Sequence, residues 1–166
     1  MRAMLKGQKD VVYDVTFSPN GRSLLSPSAD RSVRIWNLRD GSSKVLPVTG
    51  SPDYFMSVVF SPDGRYAAAG KYDGSLWIWD SRTHRLMAKW WGHTNSVWCT
   101  AFTGDGKRLM SGSYDKTVRC WDVSLLRNRQ GVSTGTVVNE NDGFPEVRSY
   151  LGHDVCFIIS LSCNVD

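Results

Sequence analysis

His93, Ser111 and Asp115 are the residues of this chain whose types could perform covalent chemistry together. A serine hydroxyl becomes a nucleophile when an imidazole takes its proton and a carboxylate orients that imidazole. Such a set also needs an open approach for substrate and donors for a developing oxyanion, and no sequence signal announces either. Gly104-Asp105-Gly106-Lys107 has the glycines and lysine of a phosphate loop. Walker A, however, requires G-x-x-x-x-G-K-[ST], and Arg108 follows the lysine, so a hairpin turn is expected. Asn139-Glu140-Asn141-Asp142-Gly143 has the residue types of a calcium loop, yet Val138 and Ser149 stand where ligands are needed. His84, His93 and His153 are too far apart for a local zinc motif. Cys99, Cys120, Cys156 and Cys163 form no C-x-x-C pair, and the first two are expected as small buried residues within strands. No metal, cofactor or small-molecule substrate is expected.

The elements that must position these residues are strands. Between Gly92 and Asp122 lie Val97–Phe102, a Gly-Asp-Gly turn, Arg108–Ser113, a turn at Tyr114-Asp115, and Thr117–Trp121. The same layout recurs. Trp36, Trp79 and Trp121 are spaced by 43 and 42 residues, and Phe17, Phe60 and Phe102 keep those intervals. So do Asp30, Asp73 and Asp115, and Gly7, Gly50 and Gly92. With its Gly-His opening and Trp-Asp close, the unit resembles a WD-repeat propeller blade, whose period is about 40–45 residues.

That resemblance implies an all-β fold: a fragment of a WD40 β-propeller with about three four-stranded antiparallel blades and orphan end strands, not a closed ring. Blade one is expected over 11–47, blade two over 54–91 and blade three over 96–151 with a flexible insertion at 124–145. A fourth unit begins at 152–166, and residues 1–6 read as an outer strand of a preceding blade. In blade one, VVYDVTF (11–17) is expected as the first strand and Lys44-Val45-Leu46 as the outer one. An open arc leaves apolar blade faces and unpaired edges, which invites association.

Composition agrees with a globular domain: 41% hydrophobic residues over 166 positions can build a sizeable core. The net charge of +4 is scattered, so direct nucleic-acid binding is not expected. No apolar run reaches the roughly 18 residues of a membrane span, and MRAMLKGQKD lacks a signal-peptide core, so an intracellular setting without membrane contact is expected.

In the WD family the positions matching His93, Ser111, Asp115 and Trp121 form a hydrogen-bonded tetrad that pins a blade together. The resemblance therefore turns the apparent triad into framework and leaves a hydrolase as a remote alternative. Blade one has Gln8, Ser26, Asp30 and Trp36 at these positions; blade two has Ser51, Ala69, Asp73 and Trp79. Residues that the framework does not need are the candidates for partner binding: Tyr72 and Tyr114 before the turn aspartates, and Tyr13, Tyr54 and Trp98 near the start of the first strands. Trp77 stands where the sister blades have Arg34 and Arg119, and is expected to cover a neighbouring blade; Trp91 is expected to face solvent.

The order of irregularities is more particular than any single blade. SVRIWNLRDG, the alanine-rich AAAG strand, the histidine missing from the second blade and the polar insertion before EVRSYLGHD resemble central blades of the fungal Groucho/Tup-type transcriptional corepressors. That likeness implies a non-catalytic nuclear scaffold docking DNA-bound repressors or other transcription regulators. The alternative binding module is a substrate receptor of a ubiquitin ligase, which would need an arginine cluster for phosphorylated targets.

Overall fold

The structure, a computed structural model, describes residues 4–50, 52–127 and 150–151. The expectations for Ser51, for residues 1–3, for most of the insertion and for the fourth unit, with His153, Cys156 and Cys163, lie outside the described residues.

Three turns of one design set the strand pairing. Ser18, Ser61 and Thr103 each donate a hydroxyl hydrogen bond to the residue two positions on, Asn20, Asp63 or Asp105, at 2.8, 2.6 and 2.6 Å. The next residue is a glycine with positive φ: Gly21 (66°), Gly64 (68°) and Gly106 (65°). A side-chain acceptor followed by a glycine free to turn left-handed closes a tight hairpin between two strands. The Gly104–Lys107 segment is the third of these turns.

Each turn joins the first two strands of a four-stranded antiparallel sheet. The first sheet contains β1 (Thr16–Phe17), β2 (Ser23–Pro27), β3 (Val33–Asn37) and β4 (Ser43–Val45). The second contains β5 (Phe55–Phe60), β6 (Tyr66–Lys71), β7 (Leu76–Asp80) and β8 (Leu86–Trp90). The third contains β9 (Val97–Phe102), β10 (Arg108–Ser113), β11 (Thr117–Asp122) and β12 (Tyr150–Leu151), with a helical turn, α1 (Ser124–Arg127), after β11. The fold is all-β apart from that turn. Among the described residues the three sheets do not close a ring.

The core lies between sheets, and strand alternation sorts the middle sheet between two partners. Ala67, Ala69, Trp77 and Trp79 pack with Leu25, Val33, Ile35 and Leu46 of the first sheet. Their neighbours Tyr66, Ala68, Leu76 and Ile78 pack with Val97, Phe102 and Leu109 of the third. A strand with period-two side chains and both faces covered must be apolar throughout. The alanines of β6 are small because sheets press on it from both sides.

Several details differ from the sequence reading. The first strand of blade one is not 11–17 but only Thr16–Phe17, with an isolated bridge between Val12 and Ser28. Asp10 and Asp14 explain the loss. Each accepts the backbone N–H of the next residue, at 2.7 and 2.8 Å, and so competes with ladder formation. Val15, just before this edge strand, and Phe17 within it are exposed. The outer strand, expected near Lys44-Val45-Leu46, is Ser43–Val45, whereas residues 4–6 form no strand. Cys99 and Cys120 are half-buried rather than buried. Trp77 is fully buried in the core shared by the first two sheets, and Trp91 is exposed.

Candidate functional site

The third sheet brings His93, Ser111, Asp115 and Trp121 together. Trp121 Nε1 donates to Ser111 Oγ at 2.8 Å, and Ser111 Oγ lies 2.7 Å from His93 Nε2. His93 Nδ1 lies 2.8 Å from Asp115 Oδ2, which also accepts the Thr94 N–H at 3.1 Å. Burial pushes the His93 imidazole below its ordinary pKa, and the opposing pull of Asp115 does not restore it. A neutral ring protonated on Nδ1 satisfies the whole chain: indole N–H to serine, serine O–H to Nε2, and Nδ1–H to carboxylate. Desolvation acts to raise the Asp115 carboxyl, but hydrogen bonds from Thr117, His93 and the Thr94 N–H outweigh it and hold the group well below the usual carboxylate range.

This arrangement is ill suited to nucleophilic catalysis. Ser111 is 0% exposed, and its oxygen is held between the indole and the imidazole. A substrate carbonyl has no path to it. The bonds instead tie the segment before β9 to β10, to the β10–β11 turn and to β11.

The other sheets solve the same problem differently. In the first, Trp36 Nε1 donates to Ser26 Oγ at 2.7 Å, Ser26 Oγ donates to Gln8 Oε1 at 3.1 Å, and Gln8 Nε2 donates to the Ser26 carbonyl at 3.0 Å. A glutamine amide thus stands where the third sheet uses imidazole. In the second, Ala69 removes the hydroxyl, and Trp79 Nε1 donates to the Pro47 carbonyl at 2.8 Å. Its turn aspartate, Asp73, faces Lys71 Nζ at 3.4 Å. Lys71 is 0% exposed, with its ammonium 5.2 Å from the Trp77 ring centroid and 5.5 Å from that of Phe55. Sequence reasoning missed this buried cation. The available signal was a lysine at the position held by Ser28 and Ser113 in the sister repeats.

The aromatic candidates gather at the ends of the strands. Tyr13 stacks on Tyr54 with centroids 5.3 Å apart, and Tyr54 lies 4.9 Å from Tyr72, so one run of rings crosses from the first sheet to the second. Desolvation, then the neighbouring Tyr13 and Tyr72, push the Tyr54 hydroxyl above its ordinary pKa, so it remains a donor. The Tyr72 N–H donates to the Tyr54 carbonyl, and the Tyr114 N–H donates in the same way to the Ser96 carbonyl, both at 2.9 Å. Tyr114 therefore occupies the corresponding edge of the third sheet. Tyr72, Trp98 and Tyr114 are 47%, 49% and 69% exposed. Among the described residues, no ring contact joins Trp98 or Tyr114 to the tyrosine run.

Four-stranded antiparallel sheets packed face to face, each closed by a tryptophan and a turn aspartate, are β-propeller blades, a class of interaction scaffold. The family described as WD domain, G-beta repeat matches residues 2–37, 43–80 and 84–122, more than half of the sequence, and the chain belongs to that WD40 family. Fifty residues are 38% identical to WD repeat and SOCS box-containing protein 1 of Takifugu rubripes, covering 30% of this chain and 12% of that protein. Thirty-nine residues are 44% identical to Ribosome assembly protein 4 of Saccharomyces cerevisiae, covering 24% and 8%. The solved WD40 repeats of RRP9 and the structure of U3-55K each match with a TM-score of 0.70 at 25% identity, over 73% of this chain and 38% of theirs. The chain thus spans a minor part of each relative. These relatives share the repeat and do not single out the Groucho/Tup type.

Proposed function

We propose that this chain is a non-catalytic docking scaffold whose aromatic rim binds a protein partner, and that the partner is a DNA-bound repressor or other transcription regulator in the nucleus. The observation that carries the docking reading is the tyrosine run of Tyr13, Tyr54 and Tyr72, with Trp98 and Tyr114 exposed on the neighbouring sheet. Tyr13 and Tyr72 are exposed and Tyr54 between them is half-buried, so rings in mutual contact are preordered anchors that offer large contact area with few rotors to freeze. The identity of the partner rests on the Groucho/Tup-type order of irregular blades. On this reading no nucleic acid, membrane, cofactor or small substrate is engaged directly.

A second reading, a scaffold in ribosome assembly, is favoured by the stretch shared with Ribosome assembly protein 4. One experiment addresses both. The full chain and its Tyr54→Ala/Tyr72→Ala variant are used as baits in nuclear extract, and retained proteins are identified by mass spectrometry. The proposal expects transcription regulators that the variant loses. Ribosome-assembly factors lost in the same way support the second reading, and identical retention by both baits contradicts a docking role for the rim.

A further inference from the structure

A second surface lies away from the aromatic rim, among the turns at the opposite ends of the strands. The β1–β2 turn, the β3–β4 turn and the β7–β8 turn of the next sheet enclose a groove of about 910 Å³. Its floor includes Trp36 and Ile35, and its walls carry Arg22, Arg39, Lys44 and His84. None of the described residues lining it is acidic. Two neighbouring turn carboxylates, Asp40 and Asp80, are engaged within their own turns. Asp40 accepts the Ser42 N–H at 2.9 Å and an amide N–H of Asn37 at 3.2 Å. Asp80 Oδ1 accepts the Arg82 and Thr83 N–H groups at 3.1 and 2.7 Å and the Thr83 hydroxyl at 2.9 Å.

The Leu38 N–H donates to the Arg22 carbonyl at 2.9 Å and fixes the two blade-one turns against each other, as the Ser81–Arg65 and Val123–Lys107 bonds do in the other sheets. His84 holds φ at 61°, in the left-handed region, and its N–H donates to the Asp80 carbonyl at 2.8 Å. The same place in blade one is Gly41, with φ at 72° and its N–H donated to the Asn37 carbonyl at 2.9 Å. A histidine there accepts backbone strain that glycine avoids, and strain of this kind collects at binding sites.

We propose that this groove binds an anionic segment of a protein partner, bearing phosphoserine or clustered carboxylates, across Arg22, Arg39 and Lys44. Guanidinium groups meet such anions with paired, charge-assisted hydrogen bonds. The volume exceeds what a lone phosphate needs and suits a short stretch of extended chain. Single-stranded nucleic acid fits less well, because Trp36, the indole lining the groove, is buried and leaves His84 as the one ring among the described lining residues on which a base could stack.

The test is fluorescence polarisation of labelled short peptides with the full chain. One peptide carries phosphoserines, a second glutamates at those positions and a third unmodified serines; an oligonucleotide of matched charge is the fourth probe. The proposal expects the phosphoserine or glutamate peptide to bind, the serine peptide not to bind, and the Arg22→Ala/Arg39→Ala variant to bind at least about tenfold more weakly. Lys44→Gln, a change at an exposed site, should weaken binding in the same direction with unchanged thermal unfolding. Tyr72→Ala should bind the peptide normally, which separates this surface from the rim. Failure of both anionic peptides to bind, equal affinity in the arginine and Lys44 variants, or tighter binding of the oligonucleotide would overturn the proposal.

Discussion

His93 Nε2 and Ser111 Oγ stand 2.7 Å apart in the buried centre of the third sheet, where the equivalent serine of the first sheet, Ser26, meets Gln8 Oε1 at 3.1 Å. Removing the imidazole takes the acceptor from the Ser111 hydroxyl in a dry site and one donor from the Asp115 carboxylate, which keeps Thr94 and Thr117. His93→Ala is therefore expected to cost about 1–3 kcal/mol. Gln8→Ala should cost less, because Gln8 is only partly buried and no side-chain bond links it to Asp30, whose Oδ2 accepts the Lys9 N–H. Denaturant unfolding of both variants checks the order; equal, negligible losses would count against the assignment.

The same ring gives a pH signature. Because burial holds His93 below its ordinary value of 6.5, the unfolded chain binds the proton more readily than the folded one. The neutral ring's contribution is fully present above that value and is lost as pH falls through it towards the folded pKa. His84 is also held low, by burial and then by Lys44, but it is common to wild type and variant. Wild type should therefore lose more stability than His93→Gln between about pH 7.5 and 5.5. Parallel pH profiles in chemical denaturation would show that His93 does not titrate this way.

Gly70 offers a test of the sheet-to-sheet packing. A Cβ built there would lie 2.5 Å from Val97 Cγ1 and 2.9 Å from Ser57 Oγ. Both neighbours belong to packed strands, so Gly70→Ala should destabilise by about 1–3 kcal/mol. Adding Val97→Ala should cost less than the sum of the two single changes, since it removes the tightest contact, Val97 Cγ1 at 2.5 Å, and leaves those to Val97 Cβ and Ser57 Oγ at 2.9 Å. Strict additivity would mean that the second and third sheets do not meet as described.

The repeat and the tetrad residues were legible because both follow fixed sequence intervals: His93, Ser111, Asp115 and Trp121 lie within one unit, and the tryptophans repeat across three. Three features were not legible, for different reasons. The β1 strand shrank to Thr16–Phe17 because Asp10 and Asp14 bond to local backbone, a choice that strand propensity does not encode. Lys71 reads as a surface residue until the stacking of sheets encloses it. The basic groove draws Arg22, Arg39 and His84 from three turns in two sheets, so no sequence window contains it.

Lys71 and Asp73 carry a prediction of their own. The pair lies 3.4 Å apart, with the ammonium fully buried against Trp77 and Phe55. Asp73→Ala removes the carboxylate 3.4 Å from that buried cation and should destabilise more than Lys71→Met, which keeps the volume and removes the charge. Thermal unfolding of the two variants checks the difference; a milder effect for Asp73→Ala would contradict the burial of the pair.

The aromatic rim is the proposed docking face. Isothermal titration of a partner captured by the wild-type chain, against wild type, Tyr54→Ala and Trp91→Ala, tests it directly. Tyr54 sits between Tyr13 and Tyr72, so its loss should cost at least about 2 kcal/mol of binding while unfolding stays cooperative. Trp91, exposed but with its ring under Lys89 rather than in the tyrosine run, should leave affinity unchanged. Unaltered affinity for Tyr54→Ala in a folded chain would contradict the account.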